Sequence, residues 1–177
     1  MTTFEEKEVK RIITASPHCY NAFTKDYKAF DAAYEVRHYT LLLKDLIDKG
    51  KIKLTNSVEK RVTYHDPCYL GRHNNIYEEP RDVLRAIPGI EFIEMERNRE
   101  SSLCCGGGGG GLWNEVPADE RFSVLRVEEA AETGAEIIAA ACPYCISMFE
   151  DALKTVGKEE EMKVMDISEI VLQSLES

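Results

Sequence analysis

Basic residues are in short supply. Twenty-two lysines and arginines stand against 32 aspartates and glutamates, leaving a net charge of −10. No segment gathers enough positive charge to neutralise a run of phosphates, so a nucleic-acid surface is excluded. Long apolar runs are missing as well. None reaches the roughly 20 residues that a membrane-spanning helix needs. The opening MTTFEEKEVKR has no apolar centre of a secretory signal, and the expectation is a cytoplasmic chain without a membrane span. Tryptophan occurs once, as Trp113. The acidic run KEEEM, Lys158 to Met162, reads as a solvated loop or helix end. What remains is a composition of 44% hydrophobic and 31% charged residues over 177 positions. That suffices for one substantial core, or for one domain and part of another.

Cysteine is the exception to this sparseness, with six residues. In a reducing compartment such thiols are metal ligands or redox centres more often than structural disulfides.

Short β-branched or apolar runs recur along the chain: Lys10 to Ser16, Tyr34 to Tyr39, Arg61 to His65, Ile90 to Met95, Glu136 to Ala141 and Met162 to Ile167. Between most of them lie amphipathic patterns. Leu41, Leu42, Leu46 and Ile47 mark one helical face, Phe122, Leu125, Val127 and Ala130 a second, and Ile170, Val171 and Leu175 a third. Alternating strands and helices predict an α/β fold with largely parallel sheets and helices on both faces. The polar segment Lys53 to Lys60 serves as a linker in this reading.

The chain also resembles itself. IITASPHCYNAF, Ile12 to Phe23, lies over IAAACPYCISMF, Ile138 to Phe149, with Ser16 against Cys142 and Cys19 against Cys145. EVRHYTLLLKDL, Glu35 to Leu46, lies over KVMDISEIVLQS, Lys163 to Ser174, once two residues of slippage are allowed. The expected organisation is one and a half pseudo-repeated Rossmann-like modules. Residues 1–55 form the closing half of a first module and residues 56–177 a complete second one.

The second module holds Cys68, the adjacent pair Cys104 and Cys105, and the pair Cys142 and Cys145 in CPYC. Each group sits at a junction: YHDPCYLGRHN and CPYC follow strands, and CCGGGGGG is a loop. In a parallel sheet such turns gather at the carboxyl ends of the strands. A helix N-terminus at CPYC would lower thiol pKa values, and Pro143 suits its first turn. CPYC alone resembles a thioredoxin-type redox pair, and a zinc site remains a second alternative, although zinc takes four ligands and neighbouring cysteines crowd one ion. An iron–sulfur cluster spreads several irons and uses adjacent thiolates readily. Six glycines after the cysteine pair fit such a body. A loop without side chains can bring N–H donors, those of Gly106 and Gly107 first, close to negatively charged sulfur. The same glycines formally satisfy a nucleotide-binding pattern, but they follow no strand and no Lys-Ser or Lys-Thr comes after them.

Cys68, then Cys104-Cys105-Gly106, then Cys142-Pro143-Tyr144-Cys145 resembles the cysteine-rich CCG domain. That domain occurs, usually twice, in heterodisulfide reductase subunits of the B and D type. It is also found in iron–sulfur subunits of glycolate and lactate oxidation and of anaerobic glycerol-3-phosphate dehydrogenase. HDPCYLGRHN, MERNRESSLCCGGGGG and GAEIIAAACPYC look most like the D-type proteins. The resemblance implies that Cys68, Cys104, Cys105, Cys142 and Cys145 ligate one noncubane 4Fe–4S cluster. It further implies an oxidoreductase subunit, active within a complex of anaerobic metabolism. Its partners would be a ferredoxin-like iron–sulfur chain and a flavoprotein or membrane cytochrome subunit, which would tie it to the inner face of the membrane. A thiol or disulfide would be a possible substrate, with electrons otherwise passing to a quinone or another acceptor. The alternative from a different class is a non-catalytic module, stabilised by a cluster or by zinc, that docks redox subunits.

Two departures qualify the resemblance. The first module lacks an early cysteine and a CCG segment, and has Ser16 where Cys142 stands in the second, so Cys19 cannot hold a second cluster. Ferredoxin-like C-x-x-C-x-x-C runs are also missing, and further centres are expected from a partner. His65, His73 and Cys19 are the candidate catalytic groups, as proton carriers or as a thiol meeting a disulfide. Asp66 and Arg72 flank the site, and His18 is expected to face it or to pack at the module interface. Trp113 is expected as a lid or core anchor, with Tyr69 and Leu70 shielding the centre from water.

Overall fold

A computed structural model of the chain describes residues 2–30 and 34–175. After a short helix, α1 (Thr2–Glu6), a first unit runs β1 (Arg11–Thr14), α2 (Pro17–Thr24), β2 (Glu35–His38) and α3 (Tyr39–Asp48). The second part runs β3 (Lys60–Tyr64), α4 (Glu78–Arg85), β4 (Ile90–Phe92), α5 (Phe122–Glu132), β5 (Ile137–Ala140), α6 (Pro143–Thr155), β6 (Lys163–Asp166) and α7 (Ile167–Ser174). All six strands expected from the sequence form, each within a residue or two at most points. β4 is the exception, stopping at Phe92.

β1 and β2 pair in parallel, from Arg11 opposite Glu35 to Thr14 opposite His38. The remaining strands form one parallel sheet in the order β4-β3-β5-β6. β5 is buried throughout, as a central parallel strand must be, and its alternation divides the core. Ile137 and Ala139 join the cluster built with Val83 and Leu84 of α4 and Ile170 and Val171 of α7. Ile138 and Ala140 join the cluster on the opposite face, with Val124 and Val127 of α5 and Met148 and Phe149 of α6. Helices therefore cover both faces. Burying a side chain such as Phe149 contributes about 1.5–3 kcal/mol.

One expectation about a helix face is corrected. Phe122 and Leu125 are exposed, and the buried face of α5 is Ser123, Val124, Arg126, Val127 and Ala130. Apolarity misplaced that face because one of its deepest members is an arginine. The segment Lys53 to Lys60 is tied down: Leu54 bridges Leu175, and the Thr55 and Asn56 N–H groups donate to the Ser174 carbonyl.

Both parts use strand–helix junctions of one kind. Ser16 caps α2, with Pro17 next, and its hydroxyl accepts from the Cys19 N–H at 3.5 Å. Cys142 occupies the cap of α6 before Pro143. His38 and Asp166 stand at the caps of α3 and α7, and Asp166 completes a capping box with Glu169.

Candidate metal centre

β3 and β5 end side by side, with Tyr64 opposite Ala139, and the His65 N–H extends the pairing to the Ala139 carbonyl at 2.9 Å. This register sets the turn carrying Cys68 beside the turn carrying Cys142 and Cys145. The third sulfur-bearing segment arrives from β4 through the Ser102–Cys105 stretch. Arg72 Nη1 donates to the Ser102 carbonyl at 2.9 Å, and Arg126 Nη2 donates to the Ser102 hydroxyl at 3.2 Å. Two guanidinium groups, one from each flank, thus hold the residue that leads into the cysteine pair.

The five sulfurs are neighbours in a continuous series in which each shifts the proton affinity of the next: Cys68 and Cys104, Cys104 and Cys105, Cys105 and Cys145, and Cys145 and Cys142. Cys105, Cys142 and Cys145 are buried, while Cys68 and Cys104 are partly exposed. Backbone N–H groups meet the sulfurs at several points. Gly106 N–H donates to Cys104 Sγ at 3.4 Å, Gly107 N–H lies against Cys105, and the Tyr144 and Cys145 N–H groups at the start of α6 serve Cys142. Protons are shared unequally along the series. Hydrogen bonds from Cys105 and Cys68 lower the Cys104 pKa, and the same contact with Cys104, followed for Cys68 by burial, raises both partners. Cys145 is raised by its contacts with Cys105 and Cys142 and by complete burial. The hydrogen bond from Cys145 brings Cys142 down to about 7. Thiolate, the state a metal binds, is therefore favoured at two positions of the series.

The glycine loop answers to more than one demand. Gly106 has φ +78, a left-handed value that points its N–H to sulfur at little cost. A Cβ on Gly111 would lie 1.9 Å from the Gly106 carbonyl oxygen, so the loop folds back on its own backbone there. A Cβ on Gly107 would press on Met148 Cγ at 2.8 Å. Buried thiols, N–H donors on their sulfurs and a side-chain-free approach are a donor set that fits an iron–sulfur cluster.

The other expected residues take distinct places. His65 is fully buried, and a ring nitrogen, Cys105 Sγ and Cys145 Sγ all lie within 4.8 Å of one another. Burial, and after it the Arg126 charge, holds its pKa well below the usual histidine value. Asp66 is an ion-pair partner of Arg81. Tyr69 stacks on His73 with ring centroids 4.3 Å apart and meets His18 at 4.2 Å. His18 also touches the edge of Tyr144, so α2 docks at the rim of the cysteine turns. Leu70 is fully buried in the core. Cys19 is exposed on α2. Trp113 is 83% exposed and anchors no core.

Sequence reasoning missed Arg81, Arg126 and Glu129. Charged residues are expected at the surface, and only the phase of Arg126 within the buried positions of α5 signals otherwise.

Among proteins of known description, the chain is 41% identical to the probable iron-sulfur-binding oxidoreductase FadF of Bacillus subtilis, over 99% of this chain and 25% of that protein. It is 37% identical to the EtfAB:quinone oxidoreductase of Syntrophomonas wolfei, over 99% of this chain and 26% of the relative. The dihydromethanophenazine:CoB--CoM heterodisulfide reductase of Methanosarcina barkeri matches through its D-type subunit, which is 38% identical over 97% of this chain and 42% of its own length. The chain thus spans a quarter to less than half of the length of these relatives. The CCG cysteine-rich domain matches residues 1–24 and 62–150, which carry β1, α2 and every cysteine. The chain belongs to the CCG cysteine-rich domain family.

Proposed function

We propose that this chain is the cluster-bearing part of an iron–sulfur oxidoreductase, working within a complex of redox subunits. Cys68, Cys104, Cys105, Cys142 and Cys145 would together hold one noncubane 4Fe–4S centre. The observation that carries this reading is the unbroken series of five sulfurs supplied by three separate turns, with loop N–H groups on them. When bound, such a centre would supply one-electron transfer. The chain supplies the rest: thiolates, N–H donors that stabilise negative sulfur, and a dry wall from Met148 and Phe149. His73 and Cys19 are proposed as the groups that meet a thiol or disulfide. Electron entry from a flavoprotein is what the family resemblance implies, and exit to a quinone or disulfide extends to this chain what its relatives' names describe.

Anaerobic purification followed by iron, sulfide and zinc analysis tests the reading. It requires about four irons per chain, with acid-labile sulfide. A second reading, zinc as a structural ion, draws on the close grouping of His65, Cys105 and Cys145. One zinc per chain without sulfide would establish that reading and remove the first.

A further inference from the structure

His65 is the first residue beyond β3, and its imidazole is wedged edge-on against Phe149 with ring centroids 4.6 Å apart. Its two nitrogens differ. Nδ1 receives Arg126 Nε at 3.4 Å, whereas Nε2 is buried with no hydrogen-bond partner among the described residues. A guanidinium has donors only, so Nδ1 must offer its lone pair and the ring hydrogen must sit on Nε2. Arg126 has little freedom to release the ring. Nη1 donates to the Arg97 carbonyl at 2.6 Å and to Glu129 Oε2 at 2.8 Å, and Nη2 donates to the Ser102 hydroxyl. Glu129 in turn accepts from the Arg97 N–H at 2.7 Å.

A buried donor left unpaired costs about 1–3 kcal/mol. This one belongs to a ring with a nitrogen within 4.8 Å of two thiol sulfurs. We propose that Arg126 is a positioning residue that locks His65 as an Nε2–H donor, and that this N–H donates to sulfur of the centre held by the five cysteines, raising its reduction potential. The inference rests on the iron–sulfur reading above. A donor aimed at sulfur stabilises the more electron-rich state, and burial keeps the interaction from being screened. This assigns His65 a tuning role distinct from carrying protons to a substrate.

The test compares the unaltered chain, purified anaerobically, with His65→Leu, His65→Gln and Arg126→Met. Iron and sulfide are counted, the midpoint potential is read by paramagnetic-resonance titration, and exchangeable protons near the reduced centre are read by pulsed hyperfine spectroscopy in H2O and D2O. His65→Leu should keep its iron and lose one exchangeable-proton coupling. Its oxidised-to-reduced ratio at fixed poise should rise about tenfold, equivalent to about 59 mV lower for a one-electron couple. His65→Gln, which keeps an N–H donor, should recover most of the difference. Arg126→Met should shift the potential in the same direction as His65→Leu, because the ring hydrogen is then free to move to Nδ1; it decides the matter if His65→Leu does not load. Full iron with an unmoved potential and an unchanged proton coupling overturns this proposal alone. An unaltered chain that binds no iron overturns the cluster reading and this proposal with it.

Discussion

Arg81 grips Asp66 through both terminal nitrogens, Nη1 to Oδ1 at 2.6 Å and Nη2 to Oδ2 at 2.8 Å, in a fully buried bidentate pair. Asp66 also accepts from the Arg99 N–H at 2.8 Å, while Arg81 Nε reaches Glu94 at 2.7 Å. The pair therefore connects the turn before Cys68 to α4 and to the segment that leads to Cys104. Removing one partner leaves an uncompensated buried charge, at a cost of about 3–5 kcal/mol. Arg81→Leu should lower the urea midpoint by a corresponding amount and weaken iron retention. Arg85→Leu, at a half-exposed position of the same helix, should change stability by less than about 1 kcal/mol. Equal effects of the two would show that the pair is not what holds this turn.

The ligand assignment gives a sharp contrast between cysteines. Cys105→Ser removes a buried sulfur in contact with both Cys104 and Cys145. It should abolish the centre or alter its spectrum, with sulfide lost in parallel. Cys19→Ser, on the exposed surface of α2, should retain full iron and sulfide. Retention of an unchanged spectrum by Cys105→Ser would contradict the assignment.

The glycines of the loop should differ in sensitivity. Gly111→Ala forces a methyl against the Gly106 carbonyl, a backbone atom with no side chain to move aside. It should displace the loop and reduce iron loading severalfold. Gly109 has φ +61 with open space around its missing Cβ. Gly109→Ala should cost only the left-handed strain, about 1–2 kcal/mol, and leave loading intact. Iron counts and melting curves on the two variants would show whether close approach or backbone freedom governs this stretch.

His38 makes stability depend on pH. It is buried, Nδ1 faces the Thr40 hydroxyl at 2.8 Å, and Nε2 faces the Ala15 carbonyl at 3.3 Å. Burial lowers its pKa from 6.5 to about 4, despite the opposing effects of the Ala15 carbonyl and Asp166. Between those values the unfolded chain binds a proton that the folded chain refuses. The contribution is thus fully present above pH 6.5 and is lost as pH falls towards 4. It amounts to on the order of 3 kcal/mol. In His38→Gln the slope of unfolding free energy over this range should flatten. A variant with the same slope as the unaltered chain would place the effect elsewhere.

By itself the sequence determined the order of strands and helices, their parallel character and the five-cysteine pattern. Those features live in short-range periodicity and in spacing, which β-branched runs, Pro143 and the paired cysteines express locally. Only the tertiary structure decided that Phe122 and Leu125 face outward, that Trp113 anchors nothing, and that α2 docks through His18 against Tyr69. It also decided that Arg81 and Arg126 lie wholly inside. A buried guanidinium is stable only where carboxylates and carbonyls from distant segments converge on it, and no local pattern records that convergence.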